Sequence, residues 1–556
     1  MQLLIRSFEK RPVLGICLFI AVMLIPHLDV LPVSIMEARD FVTAREMITD
    51  GNWLLTTMNG ETRYEKPPLP TWLSAISAMI FGVNSIAAMR LPGVLLVMLT
   101  GVFVYFLSKT ILKDKSHSLI NGLIVVTSYY VIGIIFEAPW DIFTHGFMLV
   151  GILSLIKLFR DKGSPWKHAV VSGIFIGFSF MSKGPISLYA LFLPFLLAYG
   201  FTYKFRGLKT KALPLVLLLL LAFVVGGWWY IYIRIADPQS FLSIAREEVG
   251  NWSSYHVRPF YYYWSFFAQS GLWTIPALTG LLYPYLKKRV VNLKAYRFSL
   301  LWTLFAVVLL SVIPEKKPRY LMPVLIPLAI NTGFYMEYLF RKFKNLTSKW
   351  EKWPVYFNFG LISLVSIAIP SGVYIFFKEH VVIPDFFFLA SCIILPLPGI
   401  FIFIHLLRKN IRNVFYLTIM LYASIFVFVL PVARDYIEEG SRQPVEEMKE
   451  KVKQEGINVY GYNYIQPELV WLYGEKIPLI KEEKSSAMLP QENRFGILTN
   501  KENILDQQIF KGHYQVEYSG VVNINPKGGN SSRKISYFFI LKRDTIPFQQ
   551  ISFSGR

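Results

Sequence analysis

Long apolar segments recur along most of this chain, and they limit its fold more than any other feature. A helix that crosses the hydrocarbon core of a membrane needs about 20 apolar residues, within a range of roughly 17 to 25. Segments that reach or approach this length give the chain its 54% hydrophobic content and its mean hydropathy of +0.43. The pattern predicts an all-α polytopic membrane protein of about 13 transmembrane helices, at 12–32, 86–108, 118–136, 142–159, 168–184, 185–202, 212–234, 262–286, 298–314, 319–340, 355–377, 384–407 and 413–432.

The basic residues follow the same topology. A net charge of +21 would suit a nucleic-acid-binding protein, but the lysines and arginines cluster in short loops between apolar segments. Cytoplasmic loops of membrane proteins carry this excess of positive charge. The pattern therefore predicts a cytoplasmic N-terminus and no nucleic-acid partner. Cys17 and Cys392 both fall in apolar runs, which predicts neither a disulfide framework nor a thiolate metal site.

The composition changes after Val432. The long apolar runs stop, and short β-like stretches alternate with charged and Asn/Gly-rich segments. This change predicts a transmembrane domain over 1–432, with an extracytoplasmic loop at 33–85, and a small soluble α/β domain over 433–556. Because the number of predicted spans is odd, the soluble domain is expected on the outer side of the membrane.

One polar stretch, 34–72, stands between the first apolar segment and the rest. Ser34 followed three residues later by Glu37 has the form of a capping box, and Gly51 can end the same helix. The spacing predicts a helix over 35–49. Its apolar side chains and scattered charges predict that it lies along the membrane surface.

A second part of this stretch reads Arg-Tyr-Glu-Lys-Pro-Pro. The tandem prolines after Lys66 hold the chain extended and keep this lysine out of a helix. Lys66 is therefore predicted to stand on a stiff, non-helical segment.

The pattern E-A-R-x-F-x-x-A-R-E-M, followed by G-N-W and R-Y-E-K-P-P-L-P-x-W, resembles a known loop. It is similar to the first extracytoplasmic loop of the GT-C glycosyltransferases that use polyprenyl-phosphate sugars, the family of the lipid A aminoarabinose transferases and protein mannosyltransferases. In that family the loop usually begins with Asp-Glu, and here Met36 occupies the Asp position before Glu37. The resemblance implies a GT-C fold in the bacterial inner membrane, with the active site and soluble domain on the periplasmic side.

Two acids are the candidate catalytic residues, Glu37 and Asp141. The resemblance implies that Glu37 faces the reacting sugar, although a capping-box partner of Ser34 needs no other role. Asp141 begins a predicted span, where a helix macrodipole also favours an acid. The two carboxylates can hold a divalent cation (Mg, Mn or Zn), with His256 as a third ligand. Alternatively, one can orient the acceptor while the other helps to stabilise an oxocarbenium-like centre. The sequence leaves these alternatives open.

Basic residues on the outer loops form the candidate site for the donor phosphate. Departure of a lipid phosphate develops negative charge, which fixed cations stabilise; contact with anionic head groups is the alternative explanation. By resemblance, Lys66 and Tyr320 touch the phosphate. Arg258 lies within a stretch similar to the family's H-x-x-P-F-x-Y-Y, where it would substitute for an Arg that the family has shortly before the His. The complete set is Arg39, Arg63, Lys66, Lys183, Arg258, Arg319 and Tyr320.

The sequence thus predicts an integral membrane glycosyltransferase, expected to be a monomer surrounded by membrane lipids. It would move a single sugar, aminoarabinose-like or another pentose or hexose, from polyprenyl (undecaprenyl) phosphate to lipid A or another glycolipid or glycan acceptor. A protein O-mannosyltransferase-like enzyme and a lipid-linked sugar transporter or flippase are the alternatives. A transporter should carry charged or Gly/Pro-broken sites at the bilayer midplane, whereas here the polar clusters lie at one face.

Overall fold

The computed structural model describes residues 2–160, 164–205, 207–377, 386–434, 442–482, 489–526 and 529–544. It divides into two compact units. The first consists of Met1–Thr57 and Thr62–Ala433, and the second of Met58–Glu61 and Arg434–Arg556.

The first unit is helical. Its α-helices are α1 (Gln2–Lys10), α2 (Pro12–Leu24), α3 (Ile35–Thr49), α4 (Leu69–Phe81), α5 (Ile86–Leu112), α6 (Lys115–Val126), α7 (Tyr129–Glu137), α8 (Trp140–Arg160), α9 (Pro165–Lys183), α10 (Leu193–Tyr203), α11 (Ala212–Ala236), α12 (Pro238–Ser254), α13 (Thr274–Leu281), α14 (Tyr283–Leu286), α15 (Leu293–Val312), α16 (Met322–Lys342), α17 (Lys349–Phe377), α18 (Phe386–Ile394), α19 (Pro396–Leu407) and α20 (Ile411–Ser424).

Within the described residues, seven helices are long and apolar enough to cross a membrane, or eight if the bent pair α6–α7 is one span. The seven are Ile86–Leu112, Trp140–Arg160, Lys209–Ala236, Leu293–Val312, Lys349–Phe376, Phe386–Leu407 and Ile411–Ala433. They confirm an all-α polytopic protein and coincide with seven of the predicted spans. The full count of thirteen is not confirmed, and residues 384–385 of one predicted span lie outside the described residues.

The predicted span at 262–286 is wrong as one continuous helix. The structure places there two 3₁₀ segments, Phe260–Tyr263 and Phe266–Trp273, followed by the short helices α13 and α14. Gly271 has a positive φ of 63°, a conformation that an α-helix cannot contain. Apolar composition alone therefore overestimated the length of the helix here, because glycine and proline residues interrupt it.

Other predicted spans are shorter or bent. Helices α2 and α10 fall below spanning length, and an additional apolar helix, α4, lies inside the predicted loop 33–85. The span 118–136 is bent by 40° between α6 and α7. Thr127 and Ser128 stand at this bend and donate their hydroxyls to the carbonyls of Leu123 (2.7 Å) and Ile124 (2.8 Å). Such side-chain bonds to the preceding turn are a known cause of helix bending.

Helix α3 confirms the predicted bounds, and its capping box is present. Most of its residues are buried in protein, including Asp40, Arg45 and Glu46, so the charges expected on an exposed face are enclosed. Polar groups from neighbouring segments make this burial possible: Glu46 accepts a bond from Thr57 (2.5 Å), and Thr43 accepts one from Arg63 (3.0 Å). Burying polar groups is unfavourable unless they are hydrogen-bonded.

Burial differs sharply among the spanning helices. Helix α8 is buried along nearly its whole length, so it forms the centre of the helical core. Helix α11 instead exposes large apolar side chains, with Leu213 at 70% and Phe223 at 66% exposure. An apolar exposed face on a spanning helix is the surface that contacts lipid.

The second unit contains a five-stranded mixed sheet. Its strands are β3 (Val459–Tyr462), β4 (Leu479–Ile480), β5 (Arg494–Thr499), β6 (Tyr514–Asn523) and β7 (Ile535–Arg543), in the order β4-β3-β5-β7-β6. Earlier in the chain, β1 (Thr57–Met58) and β2 (Glu61–Thr62) form a separate two-stranded sheet. Strand β3 pairs in parallel with β4 and β5, and the other pairs are antiparallel. Helices α21 (Gln443–Glu455) and α22 (Pro467–Tyr473) complete the predicted α/β composition.

Candidate active site

The helical unit contains a cavity of about 390 Å³. Much of its lining is apolar, from residues such as Ile186, Leu310 and Ile313. The polar groups that line it are Asp141, His145, Tyr189, Tyr263, Glu315 and Tyr320. An apolar pocket with a few convergent polar groups is the usual form of a site for a small molecule or lipid.

Asp141 and Lys183 form an ion pair in this region. Asp141 lies in the first turn of α8, and Lys183 is the last residue of α9, which ends at Gly184 with a φ of +75°. The ammonium of Lys183 donates to Oδ1 of Asp141, and the two residues are 8% and 2% exposed. The other oxygen, Oδ2 of Asp141, is buried and has no hydrogen-bond partner. An unsatisfied buried carboxylate oxygen is costly, so its presence at a cavity indicates a place for a ligand.

The turn between α15 and α16 supplies the other polar groups. Tyr320 donates to Oε1 of Glu315 (3.1 Å), and Lys317 donates to the same oxygen (2.6 Å). Burial, together with the nearby charges of Glu315 and Asp141, raises the pKa of Tyr320, so its hydroxyl stays protonated and can donate. Lys183 also lies over the Tyr320 ring, with its Nζ 5.1 Å from the ring centroid.

Further cations act on the same region. The positive charges of Arg319 and Lys66 repel the ammonium of Lys183, so these three groups lie near one another. Lys66 pairs with Glu248 of α12 at 3.1 Å, and Arg319 lies 3.7 Å from Glu137. The Nε atom of Arg319 is buried without a hydrogen-bond partner. The arrangement is an electropositive region with incompletely satisfied donors, which suits an anionic group.

Comparisons with known proteins found similar sequences and similar folds. Residues 65–229 match the family model described as dolichyl-phosphate-mannose-protein mannosyltransferase. A protein of Aquifex aeolicus is 26% identical over 385 residues, which cover 64% of this chain and 72% of that protein. The undecaprenyl phosphate-alpha-4-amino-4-deoxy-L-arabinose arabinosyl transferase 2 of Proteus mirabilis is 25% identical over 317 residues, which cover 55% of this chain and 56% of the relative. The chain thus spans about half the length of the arabinosyl transferases that it matches.

The fold extends this likeness to nearly the whole chain. The crystal structure of ArnT from Cupriavidus metallidurans bound to undecaprenyl phosphate superposes with a TM-score of 0.70 at 15% identity, covering 96% of this chain and 97% of ArnT. The same protein in the apo state gives a TM-score of 0.66 at 16% identity, with 94% and 97% coverage. The chain therefore has the GT-C fold of ArnT.

In this GT-C protein, the structure brings together five of the predicted site residues. Asp141 and Tyr320 line the cavity. The charges of Lys66, Lys183 and Arg319 interact around them. These five residues come from four separate segments of the chain, and only the fold brings them together.

Two predicted cations, Arg39 and Arg63, do not line the cavity. Arg63 is 7% exposed, donates to Thr43, and has its guanidinium 5.3 Å from the ring centroid of Trp140, the residue before Asp141. Burial lowers the pKa of Arg63, an effect that the charges of nearby acids oppose. Arg39 has a buried Nε without a hydrogen-bond partner. The contact with Trp140 places Arg63 against the first residue of α8.

Glu37 is enclosed by protein and does not line the cavity. Arg90 of α5 donates to both of its oxygens, from Nε at 2.7 Å and Nη2 at 3.0 Å, and the Ser34 amide donates at 2.9 Å. The same guanidinium donates to the carbonyls of Leu28 (2.6 Å) and Leu31 (2.9 Å). These contacts support the capping-box interpretation of Glu37 and its attachment to Arg90, rather than a position facing the sugar.

The two remaining candidates, Arg258 and His256, contact the turn at Lys316 through their backbone carbonyls. Arg258 and His256 have exposed side chains, while their carbonyls accept bonds from Nζ and N of Lys316 at 3.1 and 3.2 Å. No group of three His, Cys, Asp or Glu residues that could hold a metal ion occurs in the described part of the chain. Glu37 pairs with Arg90, Asp141 pairs with Lys183 and His256 is exposed, so these three residues do not form the predicted shared metal site.

Two important residues were missed in the sequence. Glu315 directly precedes the basic run Lys316, Lys317 and Arg319, and an acid beside these cations was the available signal. Arg90 lies near the start of a predicted span, where an ionised side chain needs a partner. Its partner, Glu37, is 53 residues away in the sequence, so no local pattern connects the two.

Proposed function

We propose that this chain transfers a single sugar from a polyprenyl phosphate, undecaprenyl phosphate in particular, to an envelope acceptor such as lipid A or another glycolipid. The observation that carries the proposal is the buried, unpartnered Oδ2 of Asp141 in a cavity that Tyr320 also lines. The nearby charges of Lys183, Lys66 and Arg319 suit a phosphate. The apolar lining of the cavity suits an isoprenoid chain or the apolar face of a sugar.

The chemistry follows from these groups. Breaking the bond between the sugar C1 and the phosphate oxygen leaves negative charge on the phosphate, which Lys66, Lys183 and Arg319 would stabilise. Tyr320, protonated at neutral pH, has a single hydroxyl proton, which it would turn from Glu315 to the same group when the donor binds. The free oxygen of Asp141 would face the positive charge that develops at C1. No nucleotide sugar is required, because the donor arrives through the lipid.

Several details of the proposal come from the relatives and the topology. The arabinosyl transferases favour an aminoarabinose-like sugar, and the family model favours a protein hydroxyl as the alternative acceptor. We place the protein, as a monomer, in the bacterial inner membrane with its cavity and its second unit on the periplasmic side. A flippase is the competing function, since it would also bind a lipid-linked sugar.

The test uses purified full-length protein in lipid nanodiscs with radiolabelled undecaprenyl-phosphate aminoarabinose and undecaprenyl-phosphate mannose. Lipid A, extracted envelope lipids and envelope proteins are offered as acceptors. The proposal expects release of undecaprenyl phosphate and label in one acceptor, with loss of both in Asp141→Asn. Glu337→Gln, which removes an acid paired with Arg341 outside the cavity, is the matched control and should remain active. Movement of intact donor across liposomes without its consumption would instead identify a flippase.

A further inference from the structure

The turn at 313–320 holds a second carboxylate rigidly at the cavity. Lys316 is 3% exposed, and its ammonium donates to the carbonyls of Ile313 (2.5 Å), Arg258 (3.1 Å) and Pro314 (3.4 Å). The hydroxyl of Tyr263 lies 3.0 Å from both the amide and the carbonyl of Lys317. A lysine that bonds only to backbone carbonyls braces the turn, and this bracing fixes the position of Glu315.

Glu315 has one bonded and one available oxygen. Its Oε1 accepts from both Lys317 and Tyr320, and Oε2 has no hydrogen bond to any described residue. Its side chain is 12% exposed, and that of Lys317 is 20% exposed. Glu315 and Asp141 are the carboxylates that line the cavity. The cavity thus contains two acids from different elements, each paired with its own lysine.

The first outer loop brings no carboxylate to this cavity. Position 36 is a methionine packed partly against the helical core, and Glu37 is enclosed by Arg90. The transfer of a sugar to a hydroxyl nevertheless requires that a proton leave the acceptor oxygen. That proton acceptor must therefore come from another segment if the acceptor is a hydroxyl.

We propose that the acceptor group is a hydroxyl and that Glu315 is the general base of the transfer, a role that rests on the proposed function. The C1–O bond to the donor phosphate breaks and its electron pair stays on the phosphate oxygen. A lone pair of the acceptor hydroxyl forms the new bond to C1, and the hydroxyl proton passes to Oε2 of Glu315. The proton then leaves to water beside the partly exposed pair of Glu315 and Lys317. Asp141 is less suited to this role, because its pair with Lys183 is buried and offers no comparable exit.

The test compares Glu315→Gln with wild type in the same nanodiscs, using whichever labelled donor the wild type consumes. Glutamine keeps the shape and the hydrogen-bond acceptor for Tyr320 but cannot take a proton. We expect turnover to fall by about 100-fold or more, the usual contribution of a general base. Binding of unlabelled undecaprenyl phosphate, measured separately, should stay within about threefold of wild type, because the phosphate contacts remain.

A second variant separates catalysis from folding. Glu315→Ala should lose turnover and regain part of it when formate is added, since a free carboxylate can occupy the vacated space. Glu337→Gln again serves as the unaffected control. Turnover of Glu315→Gln within threefold of wild type, parallel loss of undecaprenyl phosphate binding, or no response of Glu315→Ala to formate would each overturn the role of Glu315. Failure of the wild type to consume any donor would instead overturn the proposed function itself.

Discussion

The contact between Glu37 and Arg90 allows a sharp test of whether Glu37 is structural. The perturbation is Arg90→Met, which removes both bonds to Glu37 and the bonds to the carbonyls of Leu28, Leu31 and Pro32. The carboxylate that remains is fully buried. Removing one partner of a buried ion pair destabilises a protein by about 3–5 kcal/mol, because the other charge stays buried and uncompensated.

Glu37→Met should destabilise the protein less than Arg90→Met does, and a variant with both substitutions should show the interaction between the two side chains. Glu37→Met leaves Arg90 with its three backbone carbonyls, so we expect a loss of about 2–3 kcal/mol, within the range for a buried donor group that loses part of its hydrogen bonding. Combining Glu37→Met with Arg90→Met removes both charges, and the double variant should be more stable than Arg90→Met alone.

The assay is the midpoint of thermal unfolding in a fixed detergent, followed by size-exclusion chromatography after heating. Undecaprenyl phosphate release is measured on the same samples below their midpoints. We predict that both single variants unfold at a lower midpoint temperature than the wild type. The folded fraction of Glu37→Met should keep substantial turnover. A Glu37→Met protein with a wild-type midpoint and no turnover would refute this prediction, because Glu37 would then act in the reaction.

Three further predictions concern the cavity and its surroundings. Asp141→Asn should reduce turnover by about 100-fold while undecaprenyl phosphate still binds, and a retained rate in stopped-flow assays would remove Asp141 from the reaction. Lys66→Ala should weaken undecaprenyl phosphate binding by about tenfold, the usual effect of losing one hydrogen bond to a charged group. Glu248→Gln should instead tighten this binding, because it frees Lys66 from its ion pair. Equal effects of the two substitutions would argue against contact between Lys66 and the phosphate. Tyr263→Phe should lower turnover about fivefold by loosening the turn at Lys317, with unchanged binding of the lipid, and an unaltered rate would show that the turn needs no such support.

Local signals in the sequence were sufficient for much of the fold. The capping box at Ser34 and Glu37 identified α3 with its observed bounds, because the interactions that start a helix lie within a few residues. The long spans were visible from apolar length. The broken region at 262–286 was not, since composition reports hydrophobicity but not whether a glycine or proline interrupts the helix.

The candidate site was predicted only in part, because its contacts join distant segments. The motif around Lys66 and the acid at Asp141 were recognisable one by one, but the pairing of Asp141 with Lys183 depends on the packing of α8 against α9. Glu315 was hidden beside a basic run, and its significance depends on the cavity that the fold creates. The charges on α3 looked solvent-exposed because their partners lie on other elements.

The consumption of a polyprenyl-phosphate sugar tests the central claim most directly. Purified wild-type protein and Asp141→Asn are incubated with labelled undecaprenyl-phosphate aminoarabinose or mannose and the acceptor mixture, and free undecaprenyl phosphate is quantified over time. We predict release by the wild type together with labelled acceptor, and about 100-fold slower release by Asp141→Asn. Equal release by the two proteins would contradict the assignment of this cavity as the active site, and no release from either donor would contradict the proposed transfer with these donors.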